Sequence, residues 1–437
     1  MKRLLALLLI LSANLTHAAL PIQTWTLPNG ARVLYVEHRG IPVIDLSIEF
    51  DAGSRRDPLR KSGLAALTNG LLASGVAASA TEAALNEAQL SDAFADTAAQ
   101  RHMGVSADRA GIALRALSSQ PESDAAIRLT ARLLAQPAFP EALLMREKTR
   151  TIAALKEAET KPNVIASKAF MRAIYGHHPY ANSPTAESLD AITRTDLITF
   201  HRTHYVASRA VVSIVGDVSR ERAGQIAKQL TGHLPPGNGE ALPALPEVPP
   251  MPAAEQRIAH PASQAHILLG APAAVRGDPD FFALTVGNYV LGGGGFVSRL
   301  MHEVREKRGL SYSVGSSFSP MKQAGPFTIG LQTKKEQANE ALKVTRDVLT
   351  SFLKDGPTDD EIKAAKDNLI GGFSLRIDNN RKILSNVALI GFYGLPLDYL
   401  DTWTVNIAKV SADDIRAAFG RKIAAEQLAT VIVGAPE

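Results

Sequence analysis

The run Gly292-Gly293-Gly294-Gly295-Phe296-Val297-Ser298-Arg299-Leu300-Met301-His302-Glu303-Val304-Arg305-Glu306-Lys307-Arg308-Gly309-Leu310-Ser311-Tyr312 decides how the rest of the chain is read. Its four glycines free the backbone of Cβ constraints, and Val297, Leu300, Met301 and Val304 then recur at the spacing of an amphipathic helix. Lys307 and Arg308 fall in the last turn, where cations suit the negative end of the helix dipole, and Gly309 follows as a C-cap. Arg305 thus closes the helix and Tyr312 opens the next segment. A permanently charged guanidinium and a phenol joined by a glycine turn form a pair of donors suited to a carbonyl or an oxyanion.

With its continuation Ser313-Val314-Gly315, this run resembles the C-terminal domain of the pitrilysin/insulinase superfamily of inverted zincin metallopeptidases. The matching pattern is a small residue with Ser298-Arg299-Leu300, then Arg305-Glu306-Lys307-Arg308-Gly309-Leu310-Ser311-Tyr312. The resemblance implies that Arg305 and Tyr312 reach toward a zinc site held elsewhere and hold the substrate. It implies that Ser298 and Arg299 belong to the same substrate-binding segment.

The 437 residues suit two or three domains, and 46% hydrophobic with 21% charged residues excludes disordered and fibrous classes. Met1-Lys2-Arg3, the apolar run Leu4 to Leu11 and Thr16-His17-Ala18 read as a signal peptide, residues 1–18, cut after Ala18. The apolar run is too short to span a bilayer, so no stable membrane insertion is expected. Without Lys2 and Arg3 the formal charge falls from +4 to about +2, no basis for nucleic-acid binding. There is no cysteine, which excludes disulfides, thiolate metal sites and a lipid-anchored cysteine. Periplasmic export is the expectation.

The chain reads as one unit used twice. A hairpin at Pro28-Asn29-Gly30 and a strand at Val43 to Phe50 lead to a helix carrying Leu64, Leu67 and Leu71. A strand at Ala265 to Gly270 leads to a helix through Phe282, Val286 and Val290. Ala126 to Leu134 parallels Ala341 to Leu353, and each half ends on an apolar strand closed by Gly216 or Gly434. Seven prolines between Gly232 and Pro252 mark a semi-rigid linker. The expected domains are therefore residues 19–231 and 254–437, joined by a proline-rich linker at 232–253. The expected class is α+β, two homologous domains each with a mostly antiparallel sheet packed with helices. By resemblance the two form half of a clamshell.

In active members of that superfamily the first helix carries His-x-x-Glu-His: two histidines one turn apart reach zinc, and the glutamate is general base on the metal-bound water. Here Gly63-Leu64-Ala65-Ala66-Leu67-Thr68-Asn69-Gly70-Leu71-Leu72-Ala73-Ser74-Gly75 keeps the flanking frame, but Ala66, Asn69 and Gly70 replace the histidine, glutamate and histidine. Counting back from Pro162 puts Ala154 at the third ligand position, with Glu147 and Glu157 as alternatives. No metal is expected in this chain.

Other histidines offer little. His178-Pro179-Tyr180 reads as a packed or capping loop, and His201 and His204 share a helical face without an acid at ligand spacing. Ser54 and Ser298 lack an identifiable triad, and the glycine run lacks the Lys-Ser/Thr of a phosphate loop.

A lost zinc motif beside an intact Arg305/Tyr312 pair fits one arrangement of the superfamily, that of the mitochondrial processing peptidase. One subunit supplies zinc through His-x-x-Glu-His, and a homologous partner supplies the arginine and tyrosine. The resemblance makes this chain the second kind, with peptide substrates and with zinc only in the partner subunit. The rival reading is a catalytically inactive peptide-binding or structural protein, for which Arg305 and Tyr312 are dispensable.

Overall fold

The computed structural model describes residues 20–435 except Pro236, Asn238, Gly239 and Met251, so the expected signal peptide lies outside the described residues. Two sheets carry the fold. The first runs, in spatial order, Gln23–Thr26, Arg32–Glu37, Val211–Gly216, Val43–Phe50, Ala110–Leu117, Gln100–Val105. The second runs Glu255–Ile258, Ala429–Val433, Gln264–Ala274, Gly325–Lys334, Ser313–Phe318. Leaving out Gln23–Thr26, the two orders are the same.

Each sheet has one parallel pair, Arg32–Glu37 with Val211–Gly216 and Glu255–Ile258 with Ala429–Val433; the other neighbours are antiparallel. The expected repeat is thus present down to strand polarity. The α+β class follows, with helices laid on mostly antiparallel sheets.

Helices cross between the halves. Pro162–Tyr175, from the first half, packs on Gln264–Ala274 and Ala429–Val433 of the second sheet. Asn380–Tyr393, from the second half, packs on Val211–Gly216, Val43–Phe50 and Arg32–Glu37 of the first. Phe170, Ile174 and Tyr175 join Val431 and Val433 in one buried cluster, and Leu34, Val36 and Val215 join the core of the second half. This exchange of covering helices couples the halves through apolar burial, the dominant favourable term in packing.

A polar clamp reinforces it. The carboxylate of buried Asp108 accepts from the Tyr180 and Tyr393 hydroxyls at 2.7 and 2.8 Å and from the Lys322 backbone N–H at 2.8 Å. Arg55 lies 3.0 Å from the same carboxylate, its side chain 2% exposed. His178 caps the turn Pro179–Ala181 by accepting from the Tyr180 N–H, and its other ring nitrogen sits 2.7 Å from the Gln323 side-chain oxygen and 3.0 Å from the Pro246 carbonyl.

The proline-rich stretch carries neither helix nor strand among its described residues. It is tied to the body at Pro243, whose carbonyl accepts from Arg56 at 2.6 Å, and at Pro246, whose carbonyl accepts from Gln323 at 2.7 Å.

Candidate functional site

The helix Leu64–Leu71 begins at Gly63, whose φ of +106° only glycine adopts without strain. The Asp57 carboxylate caps it, accepting from the Gly63 and Ala65 backbone N–H groups at 2.7 Å each. Burial pushes the Asp57 carboxyl up to about 6, against the lowering effect of these bonds.

Ala66 and Gly70 lie one turn apart on the exposed face of this helix, the spacing at which two histidines would share a metal. Neither carries a donor atom. Asn69 faces inward instead: it is buried and its amide nitrogen donates to the Gly111 carbonyl and the Tyr205 hydroxyl, both at 3.1 Å.

Ala66 and Gly70 open onto a cavity of about 620 Å³ whose opposite wall is the helix Glu141–Ala158. That helix brings Glu147 to the cavity, with Arg146, Arg150 and Thr151, while Ala154 does not line it. Of the positions weighed for a third ligand, Glu147 is the one that lines this cavity. Glu147 and Ala154 are seven residues apart on one helix, so they share a face about 10 Å apart along the axis. Glu147 is ion-paired with Arg150 at 2.5 Å and Arg146 at 3.3 Å. One carboxylate, already paired and facing an alanine and a glycine, does not make a zinc site. Among the described residues no group of three or more His, Cys, Asp or Glu side chains could hold a metal.

His201 and His204 are buried and bonded to backbone carbonyls, of Leu134 at 2.7 Å and Asp51 at 3.0 Å. Burial holds both below the usual histidine range, His204 at about 4.

The Arg305/Tyr312 segment is built differently from the sequence expectation at its start. Val297 is 72% exposed in a short turn, Gly295–Val297, and contributes nothing to the inner face. Leu300, Met301 and Val304 do turn inward, on a stretch Met301–Glu306 of wide i→i+5 pitch in which the Lys307 N–H donates to the His302 carbonyl at 2.9 Å. Gly292 is required by close approach, since a Cβ there would stand 2.5 Å from the backbone nitrogen of Ser316. Gly309, at φ +64°, ends the helix as expected, its N–H donating to the Arg305 carbonyl at 2.8 Å.

The turn brings Arg305 over Tyr312, with 5.0 Å from the guanidinium carbon to the ring centroid, and over Phe296 at 4.7 Å. Tyr312 is 81% exposed. It immediately precedes Ser313–Phe318, the outermost strand of the second sheet, whose far side has no paired strand among the described residues. Ser298 and Arg299 are arranged otherwise. Ser298 is buried and its hydroxyl donates to the Gly295 carbonyl at 2.7 Å. Arg299 forks onto Glu361 at 2.7 and 2.6 Å and also donates to the Gly356 carbonyl at 2.9 Å. Both shape the segment that carries Arg305, and their polar atoms are engaged within the chain.

A repeated α+β unit, a first helix with Ala66, Asn69 and Gly70 at the zinc-motif positions, and a half-buried Arg305 over an exposed Tyr312 define a metallopeptidase-like chain. A family model described as the peptidase M16 inactive domain matches residues 191–369. The structure is similar to a solved peptidase M16 inactive domain from Pseudomonas fluorescens, with 36% identity, a TM-score of 0.90 and coverage of 95% of this chain and 98% of that one. The chain belongs to the peptidase M16 family. It is 28% identical over 426 residues, 95% of its length and 94% of the relative's, to a Helicobacter pylori protein described as the non-peptidase homolog YmxG. It is 30% identical over 241 residues to an uncharacterized zinc protease of Streptomyces coelicolor, a match spanning about half the length of either chain.

Proposed function

We propose that this chain is the non-zinc-binding subunit of a two-chain zinc metallopeptidase, exported to the periplasm. It supplies Arg305 and Tyr312 to a homologous partner that carries His-x-x-Glu-His and the zinc. One observation carries the reading: the two halves of the chain have diverged in opposite senses. The helix Leu64–Leu71 carries none of the zinc-motif residues, whereas Arg305 lies over the exposed Tyr312 ring, next to a sheet edge with no paired strand among the described residues.

In this account a peptide lies as an added strand along Ser313–Phe318, held by backbone hydrogen bonds that tolerate varied sequences. The Tyr312 hydroxyl donates to the scissile carbonyl oxygen as negative charge develops, and Arg305 holds a neighbouring carbonyl or carboxylate. Ser298 and Arg299 act as positioning residues, through the segment they brace. Among the described residues no helix is long and apolar enough to cross a membrane.

The test is zinc content and peptidase activity of this chain, of a zinc-motif homologue from the same cell, and of the two mixed. Activity confined to the mixture, with metal confined to the homologue, is the expected result; zinc or turnover in this chain alone would overturn it. A second reading, a non-catalytic peptide-binding protein, is favoured by the relative described as a non-peptidase homolog. An inert mixture that still retains peptide supports that alternative.

A further inference from the structure

The two halves meet around a second cavity, of about 560 Å³, which shares no lining residue with the one beside Ala66 and Gly70. Residues 106–109 of the first half form one wall, and Arg276, Phe281, Ser317, Ser319 and Arg376 of the second half stand opposite. Three guanidiniums line it, and their charges are not balanced. Arg109 is paired with Glu49 at 2.5 Å. Asp108, the one acid lining the cavity among the described residues, already accepts from the Tyr180 and Tyr393 hydroxyls and the Lys322 N–H and answers the charge of Arg55. Arg276 and Arg376 are left over: they rest over Tyr393 at 5.3 Å and Trp403 at 5.0 Å, and neither is ion-paired among the described residues.

The two cations lie close to one another. Burial pushes the Tyr399 phenol up, and Arg276 and Arg376 both pull the other way, so both are within electrostatic reach of one hydroxyl. Arg276 is also partly desolvated, its Nε buried without a hydrogen-bond partner, while Arg376 is exposed. Two unpaired like charges in such a cleft disfavour the folded chain, and a bound anion relieves both.

The rest of the lining says which anion. Two guanidinium forks and the exposed hydroxyls of Ser317 and Ser319 offer more donors than a carboxylate, with its single charge, accepts. A phosphoryl group presents about two charges on three acceptor oxygens. It would fill only part of the cavity, whose remaining walls are apolar at Phe281, Leu284, Phe318 and Leu389. We propose that this cleft is a binding site for a phosphate monoester. Arg276 and Arg376 fork onto the phosphoryl oxygens, and the organic body of the ester lies against Phe281 and Phe318. The site goes beyond the two-chain reading, since it needs no peptide, zinc or partner.

The experiment is titration calorimetry on this chain alone at about pH 8, where the ester is a dianion. The probes are phenyl phosphate, inorganic phosphate and benzoate. Phenyl phosphate is expected to bind at least about tenfold more tightly than either of the others, the first comparison reading the apolar wall and the second the paired charge. Arg276→Gln and Arg376→Gln are each expected to weaken it at least about tenfold with circular dichroism unchanged. Arg376 is exposed, so its variant decides the matter even if Arg276→Gln fails to fold. Phenyl phosphate should also raise the melting temperature of the wild type and not of Arg376→Gln. Absence of binding, benzoate or inorganic phosphate bound as tightly as the ester, or an affinity unchanged in Arg376→Gln overturns the proposal. Because neither partner nor zinc is present, failure here leaves the two-chain peptidase reading standing, and an inert subunit mixture leaves this site standing.

Discussion

Arg305 lies over Tyr312, 5.0 Å from ring centroid to guanidinium carbon, on a ring that is otherwise almost wholly in solvent. An exposed cation–π contact contributes only about 0.5–1 kcal/mol, too little to explain an 81% exposed aromatic on stability grounds. Tyr312→Phe is therefore expected to leave the melting temperature of this chain unchanged within about 1 °C. A larger shift in calorimetry would assign the pair to folding instead.

Gly70 occupies a helix position with open space around it, where glycine costs backbone entropy and contributes no contact. Gly70→Ala is expected to raise unfolding free energy by about 0.5–1 kcal/mol in urea titration. Destabilisation would mean that the cavity wall needs the glycine for a reason the packing does not contain.

The same face predicts what restoring the ligands does. Ala66→His with Gly70→His places two imidazoles one turn apart opposite Glu147, completing two histidines and a carboxylate at the cavity. Equilibrium dialysis should then detect about one zinc per chain, weakened by Glu147→Gln, with Asn69 still unable to act as base. Metal binding unaffected by Glu147→Gln would put the third ligand elsewhere.

Asp108 joins the two halves and answers the charge of Arg55 in a site where both side chains are at most 2% exposed. Asp108→Ala leaves Arg55 with Asp51 as its remaining carboxylate at 2.8 Å, removes the acceptor shared by the Tyr180 and Tyr393 hydroxyls, and is expected to cost about 3–5 kcal/mol. Tyr393→Phe, which removes one hydroxyl from the same carboxylate, should cost about 1–3 kcal/mol. Equal, small effects in denaturant titrations would show that the clamp is incidental to the exchange of helices.

His204 sets an acid limit. Its folded value of about 4 lies below the usual 6.5, so between these the unfolded chain binds the extra proton. Stability from this group is complete above pH 6.5 and is lost as pH falls toward 4, by up to about 3 kcal/mol. Asp57, raised to about 6, has the opposite slope between its usual 3.8 and 6, so the comparison must be between wild type and variant. His204→Asn, whose amide keeps a donor for the Asp51 carbonyl, should show a flatter decline over pH 6.5 to 4. Parallel curves for the two proteins would contradict the assignment.

How much of this was legible in the sequence depends on range. The repeat could be read because strand Val43–Phe50 and strand Gln264–Ala274 carry their own apolar patterns and turn signals. The exchange of Pro162–Tyr175 and Asn380–Tyr393 could not, because an amphipathic helix announces that one face is covered without saying which sheet covers it. The loss of zinc ligands at Ala66 and Gly70 was legible because ligand chemistry is a property of residue type. Counting from Pro162 could not separate Ala154 from Glu147, because seven residues return a helix to the same face; only the packing shows that Glu147 borders the cavity beside Ala66 and Gly70. The wide pitch at Met301–Glu306 was likewise invisible, since Leu300, Met301 and Val304 satisfy either helix.

The most direct measurement is single-turnover peptide hydrolysis by the zinc-bearing homologue mixed with this chain, wild type or Tyr312→Phe, at saturating subunit concentration. A donor supplied in the transition state predicts that the variant assembles and binds peptide normally while the rate falls about 10²–10³-fold. An unchanged rate in an assembled, peptide-loaded complex would contradict the claim that this subunit contributes Tyr312 to the chemistry.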